Sequence, residues 1–253
     1  MTDLENIQQP TPFNILLVGD DCVDVYQYGT VDRISPEAPV PIFKYSHEKR
    51  KPGMAGNVAC NLEALGCRVN YLHGNTSIKT RLIDIRSKQQ IVRIDNDVSS
   101  NPITFETDIP DVYDAIVVSD YNKGTISYEL IEELISLSIP IFIDTKKTDL
   151  ERFQGAWVKI NELEYSNIKS ECTGLIVTRG AKGASVIHHA IDCPAPLVEV
   201  SDVCGAGDTF LSALAYQYLN TKDIQQAIKF AIKASAVTVQ HLGVYAPTLE
   251  EII

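Results

Sequence analysis

Apolar residues fall in short, uninterrupted blocks of strand length along much of the chain. The clearest are Asn14-Ile-Leu-Leu-Val-Gly19, Val69-Asn-Tyr-Leu72, Ala115-Ile-Val-Val-Ser119 and Pro140-Ile-Phe-Ile-Asp144. Trp157-Val-Lys-Ile160, Leu175-Ile-Val-Thr178 and Ala184-Ser-Val-Ile187 add three more. A block without polar alternation suits a strand buried on both faces. Other stretches carry helical spacing. In Gly53–Leu65 apolar residues recur at Val58, Leu62 and Leu65, and Gly66 supplies the stop. Tyr128–Leu137, Phe210–Leu219 and Thr221–Gln240 also predict helices, the last with Asp223 near its start. From Tyr113 onward strand and helix alternate. This predicts an α/β fold of three layers, a mostly parallel central sheet with helices on both faces.

Two regions depart from that pattern. Residues 26–51 hold Tyr28-Gly29, three prolines between Pro36 and Pro41, and Val40-Pro-Ile-Phe-Lys-Tyr45. They predict short, partly exposed strands, because proline suits edges and turns. Arg81–Ile85 and Gln90–Asp95 predict a second pair, with Ser87-Lys88 at the turn. Together these segments, about 26–51 and 79–96, predict a small β-sheet lid apart from the main sheet and inserted in a domain spanning 13–253. Residues 1–12 read as a loose, flexible tail.

The chain of 253 residues, 45% apolar and 22% charged, is long enough for a substantial core. Its formal charge of −11 argues against nonspecific binding to nucleic acid or to an anionic membrane. A locally basic pocket for a small anion remains compatible with it. No apolar run approaches a membrane span, and Met1–Pro12 lacks the basic start and apolar core of a secretory signal. Six cysteines form no close metal-ligand pairs and are too sparse for a disulfide scaffold, so buried thiols in a reducing cytoplasm are expected.

The densest chemistry lies in Asp202-Val-Cys-Gly-Ala-Gly-Asp208-Thr-Phe210, between a strand-like run, Pro196–Val200, and an apolar helix. Glycines there allow a tight turn whose N–H groups converge on one anion. Asp208 beside such a nest is placed to meet the proton of an attacking hydroxyl, which points to phosphoryl transfer. The plainer reading is a glycine turn opening a helix, with Asp208 in the first turn for dipole reasons. Polar groups also gather where predicted strands end: Asp20, Asp21 and Asp24, Asp120, Asp144 with Lys146, Asn161 with Glu164, and Thr178 with Arg179. In open α/β sheets ligands collect outside the carboxyl ends of strands. Each position alone also suits a turn or a helix cap. Asn161 and Glu164 either cap a short helix or organise magnesium-bound water. Thr178-Arg-Gly180-Ala-Lys-Gly183 is either a hairpin turn or a backbone surface for nucleotide phosphates. A Walker A motif is absent, and the histidines show no zinc-ligand spacing.

Val203-Cys-Gly-Ala-Gly-Asp208-Thr209 resembles the C-terminal signature of the ribokinase-like, or PfkB-type, carbohydrate kinases. The resemblance implies that Gly205, Ala206 and Gly207 build an anion hole and that Asp208 is the catalytic base. Asn161-Glu-Leu-Glu164 resembles the family's N-x-x-E element, which implies that Asn161 and Glu164 act on ATP phosphate and Mg2+, with Glu164 meeting the metal through water. Thr178, Gly180 and Gly183 fall in a stretch similar to the nucleotide loop. A closer resemblance is to the branch that phosphorylates D-glycero-D-manno-heptose 7-phosphate. It is carried by Arg33-Ile-Ser-Pro-Glu-Ala-Pro-Val-Pro41, Gly53-Met-Ala-Gly-Asn57, Lys79-Thr-Arg81, Gln89–Asp95 and Ser119-Asp-Tyr-Asn-Lys-Gly124. By that likeness Asp24, Gly53 and Asn57 hold the sugar, and Lys79, Arg93 and Lys123 lie near its distal phosphate. The lid of such kinases commonly pairs two subunits into a homodimer.

The chain also departs from the branch. Met54 stands where relatives usually have a second glycine. The helix and strand usual after Gly74 are missing, and a second shortening lies between Asn167 and Thr173. Ile232-Lys233 stand near a position often filled by asparagine at the adenine pocket. A compacted, single-function relative is the expectation.

Overall fold

The computed structural model describes residues 12–105 and 112–253, so all but the last residue of the expected tail lies outside the described residues. β1 (Asn14–Ile34), β2 (Pro41–Met54), α1 (Ala55–Ala64), β3 (Arg68–Asp84) and β4 (Gln90–Asn96) come first. β5 (Ala115–Asp120), α2 (Tyr128–Ser136), β6 (Ile141–Thr145), β7 (Trp157–Asn161), α3 (Glu162–Tyr165) and β8 (Leu175–Thr178) follow. β9 (Ala184–Val186), β10 (Ile191–Cys193), α4 (Ala206–Thr221), α5 (Ile224–Thr238) and α6 (Leu249–Ile252) complete the chain. One ten-stranded sheet runs in the order β10-β9-β8-β7-β6-β5-β1-β3-β4, with β2 on β1. The stretch from β8 to β3 is parallel throughout.

The unalternating blocks of sequence become the strands covered on both faces. Ile15, Leu17, Ala115, Val117, Phe142 and Ile176 point to α1, α4 and α5, and Leu16, Val18, Ile116, Val118, Ile143 and Val158 point to α2 and the turn at Leu150–Phe153. Two cores on opposite faces make the three layers. The parity of each strand decides which core a residue joins.

The lid is not a separate sheet of short strands, which corrects the expectation. β1 and β3 run unbroken from the core into the lid, paired in parallel from Asn14↔Arg68 to Gly29↔Asp84. Along β1 the neighbour on the other side changes: β5 pairs with Ile15–Gly19, and β2 takes over from Asp21. The chain runs to the end of β3 with no helix between its core part and its lid part, so the core strand itself becomes the lid strand. Pro196–Val200, expected as a strand, is irregular chain. Two prolines, Pro194 and Pro196, remove ladder donors at its start, and Leu197 is almost fully exposed.

Met54 caps α1 with φ 49° and ψ −130°, a conformation natural to glycine and strained for a side chain. Its side chain is nonetheless buried, at 5% exposure. Burial and strain therefore oppose each other. Met54→Ala should lose the burial and keep the strain, at a cost of about 2–4 kcal/mol. Met54→Gly should be more stable than Met54→Ala by about 1 kcal/mol or more, the reverse of the usual order near a helix. Denaturant unfolding of the three proteins checks this; alanine equal to or better than glycine would remove the strain argument.

Candidate active site

The site forms where β1 exchanges β5 for β2. Asp208 lies in the first turn of α4 and is 5% exposed. Gly205 opens that helix with φ 81°, in the left-handed region that favours glycine. Space is tight at both 205 and 207. A Cβ on Gly205 would lie 2.9 Å from Asn57 Nδ2, and one on Gly207 would lie 2.9 Å from Lys159 Nζ. The N-terminus of this sixteen-residue helix thus meets the site through glycine backbone, with Lys159 against Gly207 and Asn57 against Gly205.

Both oxygens of Asp208 accept hydrogen bonds. Asn57 Nδ2 donates to Oδ2 at 2.8 Å, and the Tyr121 hydroxyl donates to Oδ1 at 3.0 Å. Burial pushes the carboxyl up from its usual 3.8 to about 6; the nearby Asp144 charge pushes the same way, while the Asn57 and Tyr121 donors and Lys159 pull it down. Tyr121 follows β5 on a loop pinned by the buried Asp20, whose Oδ2 accepts the N–H of Tyr121 at 2.8 Å and that of Lys123 at 3.1 Å. Asp20, read as a strand-end ligand candidate, thus shapes the loop.

Beneath Gly207, Lys159 and Asp144 form a buried ion pair at 2.6 Å. Asp144 Oδ1 is buried with no partner among the described residues. Asn161 and Glu164 make a full capping box on α3: Asn161 accepts from the Glu164 N–H, and Glu164 Oε2 accepts from the Asn161 N–H, each at 2.8 Å. Glu164 Oε1 pairs with Lys146. The plain cap and the functional reading therefore share one geometry: the cap holds Glu164 beside the Lys146–Asp144 end of the site.

Thr178 ends β8, and Gly180 and Gly183 bracket a short 3₁₀ turn with φ 53° and 93°. Here too both readings coexist, since the turn is the β8–β9 hairpin and also lines a cavity of about 260 Å³. The opposite walls include Ala206, Gly207, Phe210, Ile232 and Ser235. Ile232 lies in this wall, whereas the neighbouring Lys233 is exposed.

On the lid, Asp24 is buried and ion-paired with Arg81, whose guanidinium lies over the Tyr26 ring. Gly53 leaves room beside Asp24: a Cβ there would lie 2.8 Å from Oδ2. Register puts Asp24, Lys51, Lys79, Arg81 and Arg93 on one face, and the Lys51 ammonium reaches the Val244 carbonyl beside Gly205. That face therefore looks toward the helix turn. Arg93 forks onto Asp95, and Lys123 binds Asp97 just beyond β4. Sequence reasoning did not single out Tyr121 or Arg81 as site residues, although both lay in stretches that carried the resemblance.

The profile described as pfkB family carbohydrate kinase matches residues 159–251, the part holding Lys159, the capping box, the cavity and Asp208. The chain is 32% identical to the bifunctional protein HldE of Campylobacter curvus, over 90% of this chain and 62% of the relative. It is 33% identical to that of Nitratiruptor sp., over 94% and 64%. The chain thus spans less than two thirds of the length of these curated relatives. Ribokinase from Thermotoga maritima shares the fold with a TM-score of 0.68 at 19% identity, covering 95% of this chain and 98% of that one. Arabidopsis thaliana ribokinase, solved with ribose and ATP, gives 0.71 at 13%, covering 96% and 98%. Residues 159–251 thus match the pfkB family of carbohydrate kinases, and the chain as a whole has the ribokinase-like three-layer fold.

The raised Asp208 carboxyl has a consequence for stability. The fold favours its protonated form, so the stability tied to it is full below about pH 4 and is lost as pH rises through about 6. Asp208→Asn removes the buried charge. The variant should melt above the wild type at pH 8, with the gap shrinking toward pH 5. A gap independent of pH in calorimetry would show that this carboxyl does not titrate as placed.

Proposed function

We propose that this chain transfers the γ-phosphoryl group of ATP to the anomeric hydroxyl of D-glycero-β-D-manno-heptose 7-phosphate, giving the 1,7-bisphosphate and ADP. The observation that carries the reaction type is Asp208, buried, doubly hydrogen-bonded and set in the first turn of a helix whose N-terminus is opened by Gly205 and Gly207. The substrate assignment rests on the Arg33–Pro41 run and on the cations that the lid turns toward that helix.

In this reading the sugar lies between Asp24, Gly53 and Asn57 on one side and Asp208 on the other. Asp208 orients the attacking hydroxyl and takes its proton as the new O–P bond forms and the bond to ADP breaks. The N–H groups at Gly205, Ala206, Gly207 and Asp208 stabilise charge on the transferring group. Lys79, Arg81 and Arg93 favour a substrate with a distal phosphate over a neutral sugar. The apolar cavity takes the nucleoside, with Thr178, Gly180 and Gly183 along its edge. Closure of the lid excludes water, which would otherwise compete as the acceptor.

The residues present fit a hydrated magnesium ion held largely by ATP phosphates. Asp144 offers a buried, unpartnered oxygen, and the capping box fixes Glu164 as a second acceptor for metal-bound water. The ion would supply charge neutralisation on the phosphates when bound.

The lid is also proposed to pair two copies into a homodimer. Ile78, Leu82, Val92 and Ile94 share its outer face, and Ile78, Val92 and Ile94 are exposed. Sedimentation equilibrium should give twice the chain mass; a monomer at micromolar concentration would remove this part of the reading.

The test of the reaction is incubation with Mg-ATP and the heptose 7-phosphate, followed by mass spectrometry and phosphorus NMR. Wild type should form the 1,7-bisphosphate, with rate falling on the acid side near pH 6 as Asp208 is protonated. Asp208→Asn should lose about 10³-fold or more in kcat while still binding ATP. A second reading has a specific motive, because the buried Met54 replaces a glycine beside the sugar pocket. Turnover of a different sugar phosphate, with none of the heptose, would favour it.

A further inference from the structure

We propose that Tyr121 is a positioning residue for the catalytic base, fixing the rotation and the basicity of the Asp208 carboxylate through its hydroxyl. The inference rests on the reading of Asp208 as that base. An aspartate's terminal torsion is soft and nearly two-fold, so one donor leaves the carboxylate free to swivel. Here two donors arrive from different layers: Asn57 from α1 on Oδ2, and Tyr121 from the loop after β5 on Oδ1. Together they define the carboxylate plane and leave a free lone pair on each oxygen for the sugar hydroxyl.

The loop is built to hold the phenol still. Asp20 on β1 accepts the N–H of Tyr121, of Lys123 and, at 3.4 Å, of Thr125, so three alternate N–H groups of the loop hang from one buried carboxylate. Asp120 accepts the N–H of Asn122 at 2.8 Å, and that residue adopts φ 58°. The Lys146 ammonium lies 5.5 Å from the Tyr121 ring centroid and pairs with Glu164, tying the phenol to the phosphate end of the site.

A tyrosine suits the task. Burial and the neighbouring Asp208 charge push its hydroxyl well above its ordinary range, so it remains a donor throughout the working range. A cation in direct contact would depress the base much further. The charged and titratable groups facing Asp208 are Asp144 on β6, Lys159 on β7, Lys146 after β6 and Cys204 before α4. Tyr121 and Asn57 supply the neutral donors to the carboxylate.

Two replacements of opposite sign give the test. Tyr121→Phe removes the donor and should move the acid limb of kcat/KM upward by about one pH unit, with the KM for ATP unchanged. Incorporation of 3-fluorotyrosine at 121 strengthens the donor and should move the limb downward. A general packing defect would lower activity equally at every pH, so a stationary limb, or two shifts of the same sign, would overturn the proposal. The carboxyl carbon resonance of Asp208, assigned by its loss in Asp208→Asn, gives the same readout in the free protein. If no sugar phosphate is turned over at any pH, the kinase reaction fails. Opposite shifts of that resonance in the two variants would still establish the tyrosine's action, and an unchanged titration would refute it.

Discussion

A carboxylate held out of water at the N-terminus of a helix is the constraint on which the rest of this site depends. Left alone in such a place, Asp208 would take up a proton and lose its use as a base. Donors on both oxygens, a buried lysine beneath the neighbouring turn and the helix N-terminus restrain that tendency without cancelling it. The balance leaves the group more basic than an ordinary aspartate, titrating near 6, yet ionised at neutral pH. Each supporting group needs its own support in turn. Asn57 is held by Asn61, Tyr121 by Asp20, and Lys159 by Asp144.

The sheet supplies that support through one change of partner. Because β1 leaves β5 and joins β2 at Gly19–Asp21, the core ends and the lid begins within three residues. Asp20 and Asp24 are only four residues apart on this strand, yet they serve different bodies, the first the loop of Tyr121 and the second the lid. One strand thus carries both the anchor of the Tyr121 loop and the start of the lid, and β3 runs beside it without a break from core to lid.

The layers were legible because strands covered on both faces leave a plain signature: Ala115–Ser119 and Leu175–Thr178 have no polar alternation, and the described strands fall on them. The anion-hole turn was legible for a similar reason, as glycine at 205 and 207 suits the backbone angle or the tight space. The lid was harder. Alternation in Asp24–Tyr28 and Lys79–Ile83 looks like an edge strand, and nothing local shows that each continues a core strand. Pro196–Val200 misled because its apolar residues line a cavity and a surface rather than a ladder. Tyr121 and Arg81 form contacts 87 and 57 residues away in sequence, and no periodicity encodes a partner at such a distance.

Arg81 shows what a site does with charges before substrate arrives. Asp24 borders the space that Gly53 leaves open, where Arg81 pairs with it. Pairing with Arg81 fixes its direction, while the guanidinium stays on the same face as Lys79 and Arg93. Direct cross-strand placement of Arg81 and Arg93 is unfavourable by itself, and Asp95 and Asp24 each offset one of the two charges. An anion entering this face would relieve that repulsion, and a sugar hydroxyl at Asp24 would share the carboxylate with Arg81. Under the proposed function, selection for a phosphorylated sugar would be a property of the strand register as much as of any single residue.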